Sequence, residues 1–280
     1  MLFDLFNLRV MFTYVKKELT AKVTLLLFIL FSFWWIWLHL TDATLIQKQA
    51  FSAFYGLIAL FGSICGFSIA RKWGGFKSLM GKSIIMFSMG LLAQEFGQIV
   101  YSALNFFLQI VVPYPSLGDI GYFGSIPLYI LGAYYLARVS GVNISLRTLR
   151  SKILVLIVPL LLLTISYFLF LQGYELEETP IITIFLDFGY PFGQAIYVSI
   201  ALLAFLLSKK ILGGIMKNKI LFILFALLVQ YFSDFSFLYI SRYGEMGPGE
   251  IVDYMYLVSY FLMSLGLIQL KTVSNELNGH

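Results

Sequence analysis

Residues Leu25–Leu38 read LLLFILFSFWWIWL, and residues Leu154–Leu163 read LVLIVPLLLL. Such runs recur along the chain: 60% of its 280 residues are hydrophobic, 12% are charged, and the mean hydropathy is +0.89. A soluble domain of this size does not need so much apolar surface, so the composition indicates an integral membrane protein. Because the runs are continuous and do not alternate with polar residues, they predict membrane-spanning helices and not barrel strands.

Eight stretches are long enough for a helix to cross the hydrocarbon core, which takes about 20 residues. They are residues 23–40, 50–70, 83–112, 119–138, 152–172, 180–208, 219–241 and 249–270. We therefore predict an all-α polytopic membrane protein whose eight transmembrane helices form four hairpins. Residues 23–271 make its single membrane domain, residues 1–22 a basic amphipathic N-terminal segment, and residues 272–280 a short cytoplasmic tail.

Positive charge is confined almost entirely to one side of this arrangement. Of the 19 lysines and arginines, all but Lys48 and Arg242 lie on the side from which the first, third, fifth and seventh stretches begin. Lysine and arginine in short loops stay in the cytoplasm, so we predict that both termini are cytoplasmic and that the protein lies in an inner cell membrane. Membrane anchoring explains the net charge of +5, so the lipid bilayer is the expected partner and a nucleic acid is not.

The sequence offers few groups for metal or cofactor chemistry. Cys65 is the only cysteine, so neither an intrachain disulfide nor a cysteine-based metal site is expected. The two histidines, His39 and His280, are too few for a histidine-rich zinc or haem site. No lysine lies deep within a stretch, which argues against a retinal Schiff base. We therefore expect no cofactor.

Two pairs of stretches resemble each other. Residues 91–96 (LLAQEF) match residues 227–232 (LLVQYF), and Gln98 then falls opposite Asp234. After the next loop the matched positions are Asp119 and Asp253, Tyr122 and Tyr256, Ser125 and Ser259, Leu128 and Leu262, Leu131 and Leu265, and Gly132 and Gly266. Both copies run in the same direction, so the third and fourth helices and the seventh and eighth helices form a predicted parallel repeat. Repeats of this kind occur in transporters but do not by themselves distinguish a transporter from a receptor.

Acidic and amide side chains lie within the stretches, where a charge costs about 2.5–3.5 kcal/mol at mid-depth and normally faces the interior of the bundle. Several are spaced at i, i+3, i+4 or i+7 and therefore share one stripe of a helix. The residues predicted to bind a ligand are Gln94, Glu95, Gln98, Asp119, Tyr122, Asp187, Tyr190, Gln194, Gln230, Asp234, Asp253 and Tyr256. Together they predict an acidic, outward-opening cavity rimmed by tyrosines.

Each of these residue types also has a purely structural interpretation. Asp119 and Asp253 begin inward-running helices and are equally consistent with N-caps. Gln94 and Gln230 are equally consistent with hydrogen bonds that join helices. For the other three acids the alternative is a protonated carboxyl bonded to a neighbouring tyrosine or amide.

Other local signals concern helix packing. Gly62 and Gly66 have the spacing that permits close contact between helices, either within the chain or between copies in a homo-oligomer. Pro127, Pro159 and Pro191 are predicted to kink the fourth, fifth and sixth helices.

A family resemblance rests on residues 113–122, PYPSLGDIGY, which carry a PSxxDxxY pattern. Together with residues 187–191 (DFGYP), Ser233–Asp234 and residues 251–256 (IVDYMY), the pattern resembles the multi-helix N-terminal membrane sensor domain of bacterial diguanylate cyclases (GGDEF proteins) and histidine kinases. The resemblance covers roughly the third to the eighth helix. It implies a membrane sensor domain.

Two features depart from that family. The residues after Lys271 leave no room for a GGDEF or kinase effector, so we expect any signal to pass to a separate partner. In the sixth helix the acid precedes Tyr190 and Pro191, and the position after them holds Gln194. A fainter resemblance, to the eight-helix lysoplasmalogenase-like enzymes, rests on the helix count and on Ser233–Asp234.

Three functions remain open beside a purely structural or assembly role. The leading hypothesis is a stand-alone sensory module that binds a small cationic or polar ligand from the outer side and signals through a cytoplasmic or membrane partner. The first alternative is a proton- or cation-coupled transporter that uses Glu95, Asp187 and Asp234 as relay sites. The second is a membrane enzyme that acts on lipid substrates, with two acids as general acid and base.

Overall fold

The computed structural model describes residues 18–110, 112–140, 149–177, 179–208, 214–243 and 247–278. Within these ranges the chain is helical and contains no strand. The helices are α1 (Leu19–Leu40), α2 (Leu45–Phe54), α3 (Leu57–Lys72), α4 (Leu79–Ser102), α5 (Gly118–Val139), α6 (Leu149–Ser166), α7 (Ile181–Ser208), α8 (Gly214–Tyr243) and α9 (Ile251–Asn278). A 3₁₀ turn, Gly75–Lys77, precedes α4, and π-helical turns follow α4 at Ala103–Phe107 and α6 at Tyr167–Leu171.

Eight stretches of the described chain are long and apolar enough to cross a membrane, with α2 and α3 together making one of them. This confirms the predicted all-α, multi-pass membrane class. Leucines and aromatic residues of α1 and α6, such as Leu26, Phe33 and Leu156, are exposed, whereas Gln94 and Asp234 are buried inside the bundle. An apolar exterior around a polar interior suits a protein surrounded by lipid.

The second crossing differs most from its prediction. The sequence predicts one helix over residues 50–70, but the helix begins at Leu45 and is interrupted at Tyr55 and Gly56. A capping box starts it early: Gln47 N donates to Thr44 Oγ1 at 3.4 Å, and Thr44 N donates to Gln47 Oε1 at 2.8 Å. The polar residues of this first turn are invisible to a search for apolar runs.

The other boundaries differ by a few residues. The third crossing, predicted to end at residue 112, ends with the π turn at Phe107. Residues 1–17 of the predicted N-terminal segment lie outside the described residues, and α1 begins at Leu19, inside that segment. Helix α9 continues to Asn278, within the predicted tail. Helices α5, α6 and α7 continue through their internal prolines.

Six crossings form a ring in the described part of the chain. Helix α3 packs on α4, α4 on α5, α5 on α7, α7 on α8, α8 on α9, and α9 on α3. Helices α1 and α6 lie outside this ring, α1 against α9 and α3 and α6 against α7. Only 17% and 11% of their most apolar stretches are buried, compared with 39–61% for the ring helices. The ring therefore forms the core that surrounds the polar side chains.

The helices alternate in direction, which gives the bundle two ends. At the acidic end, where α2, α5, α7 and α9 begin, Trp35 Nε1 donates to the carbonyl oxygen of Gly249 at 3.1 Å. At the basic end, where α1, α4, α6 and α8 begin, Lys271 Nζ lies 2.6 Å from Glu18 Oε2. The first and last crossings are thus joined at both ends.

The glycine pair of α3 serves packing within the chain. A Cβ atom on Gly62 would lie 1.8 Å from Ser264 Oγ of α9, and one on Gly66 would lie 2.0 Å from Ser88 Oγ of α4. Only glycine lets α3 approach both neighbours so closely. The spacing seen in the sequence therefore helps to close the ring.

Candidate functional site

The ring encloses a cavity of about 200 Å³ toward its acidic end. Nine of the twelve predicted ligand-binding residues line it, namely Gln94, Gln98, Asp119, Tyr122, Tyr190, Gln194, Asp234, Asp253 and Tyr256. The other lining residues are Tyr55, Tyr101, Val112, Pro113, Tyr114, Ser116, Ile126, Phe237, Leu238 and Tyr260. Since a cavity of about 150 Å³ admits benzene, this one has room for a small organic molecule.

Asp119 lies in the first turn of α5, one wall of the cavity. Its Oδ2 accepts hydrogen bonds from Ser116 N at 2.7 Å and Ser116 Oγ at 3.3 Å, and its Oδ1 accepts one from Tyr190 OH at 2.7 Å. The N-cap position belongs to Leu117, so Asp119 is not the cap itself. It nevertheless ties the segment before α5 to the side of α7.

Asp253 occupies a similar place in the first turn of α9. Its Oδ2 accepts hydrogen bonds from Gly249 N at 2.8 Å and from Ser52 Oγ, and its Oδ1 accepts one from Tyr55 OH at 3.4 Å. Gly249 has a φ of +75°, a conformation that favours glycine. Asp253 therefore ties the start of α9 to the break between α2 and α3.

Asp234 lies on α8, on a third wall. Its Oδ1 accepts hydrogen bonds from Gln230 Nε2 at 2.9 Å and Tyr256 OH at 3.0 Å, and its Oδ2 accepts one from Tyr197 OH at 2.9 Å. The side chain is buried, so these neutral donors replace the water that a carboxylate would otherwise bind. Three of about four acceptor positions are used, which leaves one for a ligand.

The three carboxylates lack a cationic neighbour among the described residues of the cavity wall. No lysine, arginine or histidine is among the described residues that line the cavity. Lys48, near the acidic end, lies 3.0 Å from Glu250 Oε1 in an ion pair. Charges interact strongly where water is scarce, so the missing counter-charge bears on what the cavity could hold. Seven lining residues are tyrosines, whose ring faces also attract cations.

Two glutamines of α4 join the walls of the cavity. Gln98 Nε2 donates to the carbonyl oxygen of Ser52, and Gln98 Oε1 accepts from Tyr55 OH at 3.1 Å and Tyr122 OH at 2.9 Å. Gln94 Nε2 donates to a serine hydroxyl of α5 at 2.7 Å, and its Oε1 accepts from a tyrosine of α9 at 3.0 Å. These bonds confirm the interpretation of Gln94 as a link between helices.

Gln194 of α7 differs from these glutamines. It lines the cavity and is only 4% exposed, yet it has no hydrogen-bond partner within the described chain. A buried polar group left unpaired costs about 1–3 kcal/mol. This amide is therefore free to bind a group inside the cavity.

Two predicted residues lie behind the cavity wall. Gln230 supports the site from the side, since its Oε1 accepts a hydrogen bond from Ser259 Oγ while its Nε2 donates to Asp234. Glu95 faces the interruption between α2 and α3, where a Cβ atom on Gly56 would lie 2.1 Å from Glu95 Oε2. That oxygen is buried and has no hydrogen-bond partner among the residues described.

Asp187, the third predicted residue that does not line the cavity, lies half-buried at its rim. Its Oδ1 accepts a hydrogen bond from Tyr114 OH at 2.6 Å, and its Oδ2 accepts one from Tyr174 OH. Tyr114 belongs to the segment 112–116, which covers part of the cavity. Burial, together with the hydrogen bond to Asp187, raises the pKa of the Tyr114 phenol. Asp187 thus holds this covering segment in place.

Sequence reasoning missed several tyrosines that bind the acids. The sequence did contain a signal for Tyr55. Ser52 and Tyr55 have the same three-residue spacing as Asp187 and Tyr190, which places both side chains on one face of a helix. Tyr197 lies seven residues after Tyr190 and so continues its stripe. Tyr114 lies between helices, where no periodicity exists to reveal it.

The chain matches no family model, and no curated protein and no solved structure matches it. Its function is therefore inferred from the geometry and charge of the cavity.

Proposed function

We propose that the cavity binds a small organic cation, such as a protonated amine, and that the protein is a membrane sensor for this ligand. The observation that carries the proposal is the convergence of three carboxylates on a tyrosine-lined cavity without a cationic side chain among its described lining residues. A carboxylate supplies the counter-charge and a directed hydrogen bond, and tyrosine rings supply cation–π contacts. The cavity admits only a small molecule.

The proposal includes an orientation in an inner cell membrane. The distribution of lysine and arginine along the sequence supports cytoplasmic termini. The acidic end then faces outward, and the ligand enters beside the covering segment 112–116. Labelling of single cysteines at Glu177 and Lys77 in intact cells tests this orientation: reagents that do not cross membranes should modify the first position only.

The proposal also includes a parallel internal repeat that relates α4–α5 to α8–α9. Equivalent hydrogen bonds support it. They join Gln94 to Ser125 and Gln230 to Ser259, Tyr122 to Gln98 and Tyr256 to Asp234, and Tyr190 to Asp119 and Tyr55 to Asp253. A ligand held between two such halves shifts their packing when it binds, and a membrane or cytoplasmic partner reads that shift at the basic end. Signalling from the cavity to a partner at the basic end agrees with the resemblance to the sensor domains of GGDEF proteins and histidine kinases.

A thermal-stability screen tests the binding proposal. Small primary and quaternary ammonium compounds should raise the melting temperature of the purified protein, whereas neutral alcohols and carboxylates of equal size should not. Asp119→Asn and Asp234→Asn should remove most of the shift, and Glu177→Gln, a change at an exposed acid, should retain it. Stabilisation that is the same in all variants, or absent for every ammonium compound, would refute the proposal.

One observation favours transport as a second candidate. The crossing formed by α2 and α3 is interrupted at Gly56, and the unpartnered oxygen of Glu95 faces the interruption. Interrupted transmembrane helices often form ion sites in transporters. Ammonium uptake into proteoliposomes that depends on a proton or sodium gradient, and that is lost in Glu95→Gln, would support this function. Absence of uptake under every gradient would exclude it.

A further inference from the structure

The unpaired amide of Gln194 carries information about the ligand. Gln194 shares one stripe of α7 with Asp187 and Tyr190. Both of those side chains are hydrogen-bonded to other residues of the chain. Gln194 is the third member of the stripe, is 4% exposed, and has no hydrogen-bond partner in the part of the chain that the structure describes. Buried polar groups are normally hydrogen-bonded, so a partner outside the chain is expected here.

The position of Gln194 along α7 places it between two carboxylates. Tyr190, four residues earlier, donates to Asp119, and Tyr197, three residues later, donates to Asp234. At 1.5 Å per residue these tyrosines lie about 6 Å and about 4.5 Å from Gln194 along the helix axis. Because Gln194, Asp119 and Asp234 line the same cavity, a ligand whose ammonium group binds either acid can place a second polar group beside Gln194.

The chemistry of the amide selects the group that it meets. Resting on the proposed function, we propose that the ligand is an amino amide, whose ammonium group binds Asp119 or Asp234 and whose neutral carboxamide, about 5 Å away, pairs with Gln194. Two amides satisfy each other because each both donates and accepts.

Other second groups fit the cavity less well. A carboxylate in place of the carboxamide is repelled by Asp119 and Asp234. A second ammonium only donates and leaves Gln194 Nε2 unpaired, and an alkyl chain pairs with neither end of the amide.

Four probes of similar length distinguish these ligand classes by calorimetric titration at pH 7: 4-aminobutanamide, n-pentylammonium, 1,5-diaminopentane and 4-aminobutanoate. We expect 4-aminobutanamide to bind the wild-type protein about tenfold more tightly than n-pentylammonium, the effect of one or two added hydrogen bonds. Gln194→Leu should abolish this preference. Gln172→Leu, at an exposed glutamine near the acidic end, should preserve it.

The folding of Gln194→Leu is checked without ligand: because the change removes a buried unpaired amide, the variant should melt at a temperature no lower than that of the wild-type protein. Equal binding of the amide and the alkylammonium by the wild type would overturn the inference and leave the proposed function intact. The same holds if the diamine or the aminobutanoate binds most tightly. If Gln194→Leu still preferred 4-aminobutanamide over n-pentylammonium, the inference would also be overturned, because water and not Gln194 would then pair with the carboxamide of the ligand. Failure of all four probes would instead contradict the proposed function, and the inference with it.

Discussion

The hairpins α4–α5 and α8–α9 share one hydrogen bond, from a tyrosine to a polar side chain, but the accepting side chain differs between them. In the first hairpin Tyr122 OH donates to Gln98 Oε1 at 2.9 Å, and in the second Tyr256 OH donates to Asp234 Oδ1 at 3.0 Å. The matched position therefore holds a neutral amide on α4 and a carboxyl group on α8. Similar scaffolds thus provide different chemistry on the two sides.

The preceding turn shows how the protein adapts to this change. Gln94 Nε2 donates to Ser125 Oγ, whereas Gln230 Nε2 donates to Asp234 and its Oε1 accepts from Ser259 Oγ. The serine is an acceptor in the first hairpin and a donor in the second. Matched sequence positions therefore preserve the contact but not the direction of the hydrogen bond.

The largest expected effect concerns how closely α4 and α5 pack in the first hairpin. A Cβ atom on Gly121 would lie 2.4 Å from the carbonyl oxygen of Ala93 and 2.5 Å from Gly97 N, both backbone atoms that cannot easily move. Gly121→Ala should lower the free energy of unfolding by about 3 kcal/mol, the upper end of the overpacking range. Reversible unfolding in mixed micelles measures this. Gly124→Ala, where nothing lies within 4 Å of the added atom, should have little effect; equal losses would contradict the packing described for α4 and α5.

The next effect concerns the hydrogen bond at the changed residue. A hydrogen bond to a charged group is stronger than one to a neutral group. Tyr256→Phe, which removes a donor from Asp234, should therefore cost about 2 kcal/mol of unfolding free energy. Tyr122→Phe, which removes one from Gln98, should cost about 1 kcal/mol. Equal or reversed costs in the same unfolding assay would contradict the contrast between a neutral acceptor at Gln98 and a charged acceptor at Asp234.

The smallest effect concerns the rim. Tyr114→Phe removes a hydrogen bond to the half-buried Asp187, so it should cost less than about 1 kcal/mol overall but should speed amide hydrogen exchange in residues 112–116. Tyr134→Phe, an exposed position on α5, is the matched control and should not change exchange there.

The rim should also respond to alkaline pH. The raised pKa of Tyr114 means that its stabilising contribution is complete below about pH 10, the ordinary value for tyrosine, and is lost as the pH rises further. The wild-type segment should therefore become more sensitive to proteolysis above pH 10. Unchanged sensitivity in both the alkaline wild type and Tyr114→Phe would contradict the role of Asp187 as its anchor.

The sequence was informative where periodicity and hydropathy determine structure. The eight crossings follow from apolar length, and the stripe of Asp187, Tyr190 and Gln194 follows from helical spacing. The interruption at Gly56 was missed, as was the contact there with Glu95, a residue of another helix. No local pattern reveals such a contact.

Contacts between residues that are distant in the sequence also determine the site, and local patterns do not reveal them. Spacing along a helix indicated that Asp187 faces the bundle, but not that two tyrosines from the loops hold it at the rim. Nor did it show that the Gln98 side chain makes three hydrogen bonds, whereas Gln194 makes none within the described chain. Which polar groups remain free depends on the closure of the ring, and that is determined by contacts between distant helices.

The most direct test of the central claim is a calorimetric titration of n-pentylammonium and its neutral counterpart, pentan-1-ol. Because three carboxylates face the cavity, the wild-type protein should bind the ammonium at least about tenfold more tightly than the alcohol. Asp234→Asn should reduce this ratio and Glu177→Gln should not. Equal binding of the two compounds, or a ratio that is the same in Asp234→Asn, would contradict a cation-binding cavity.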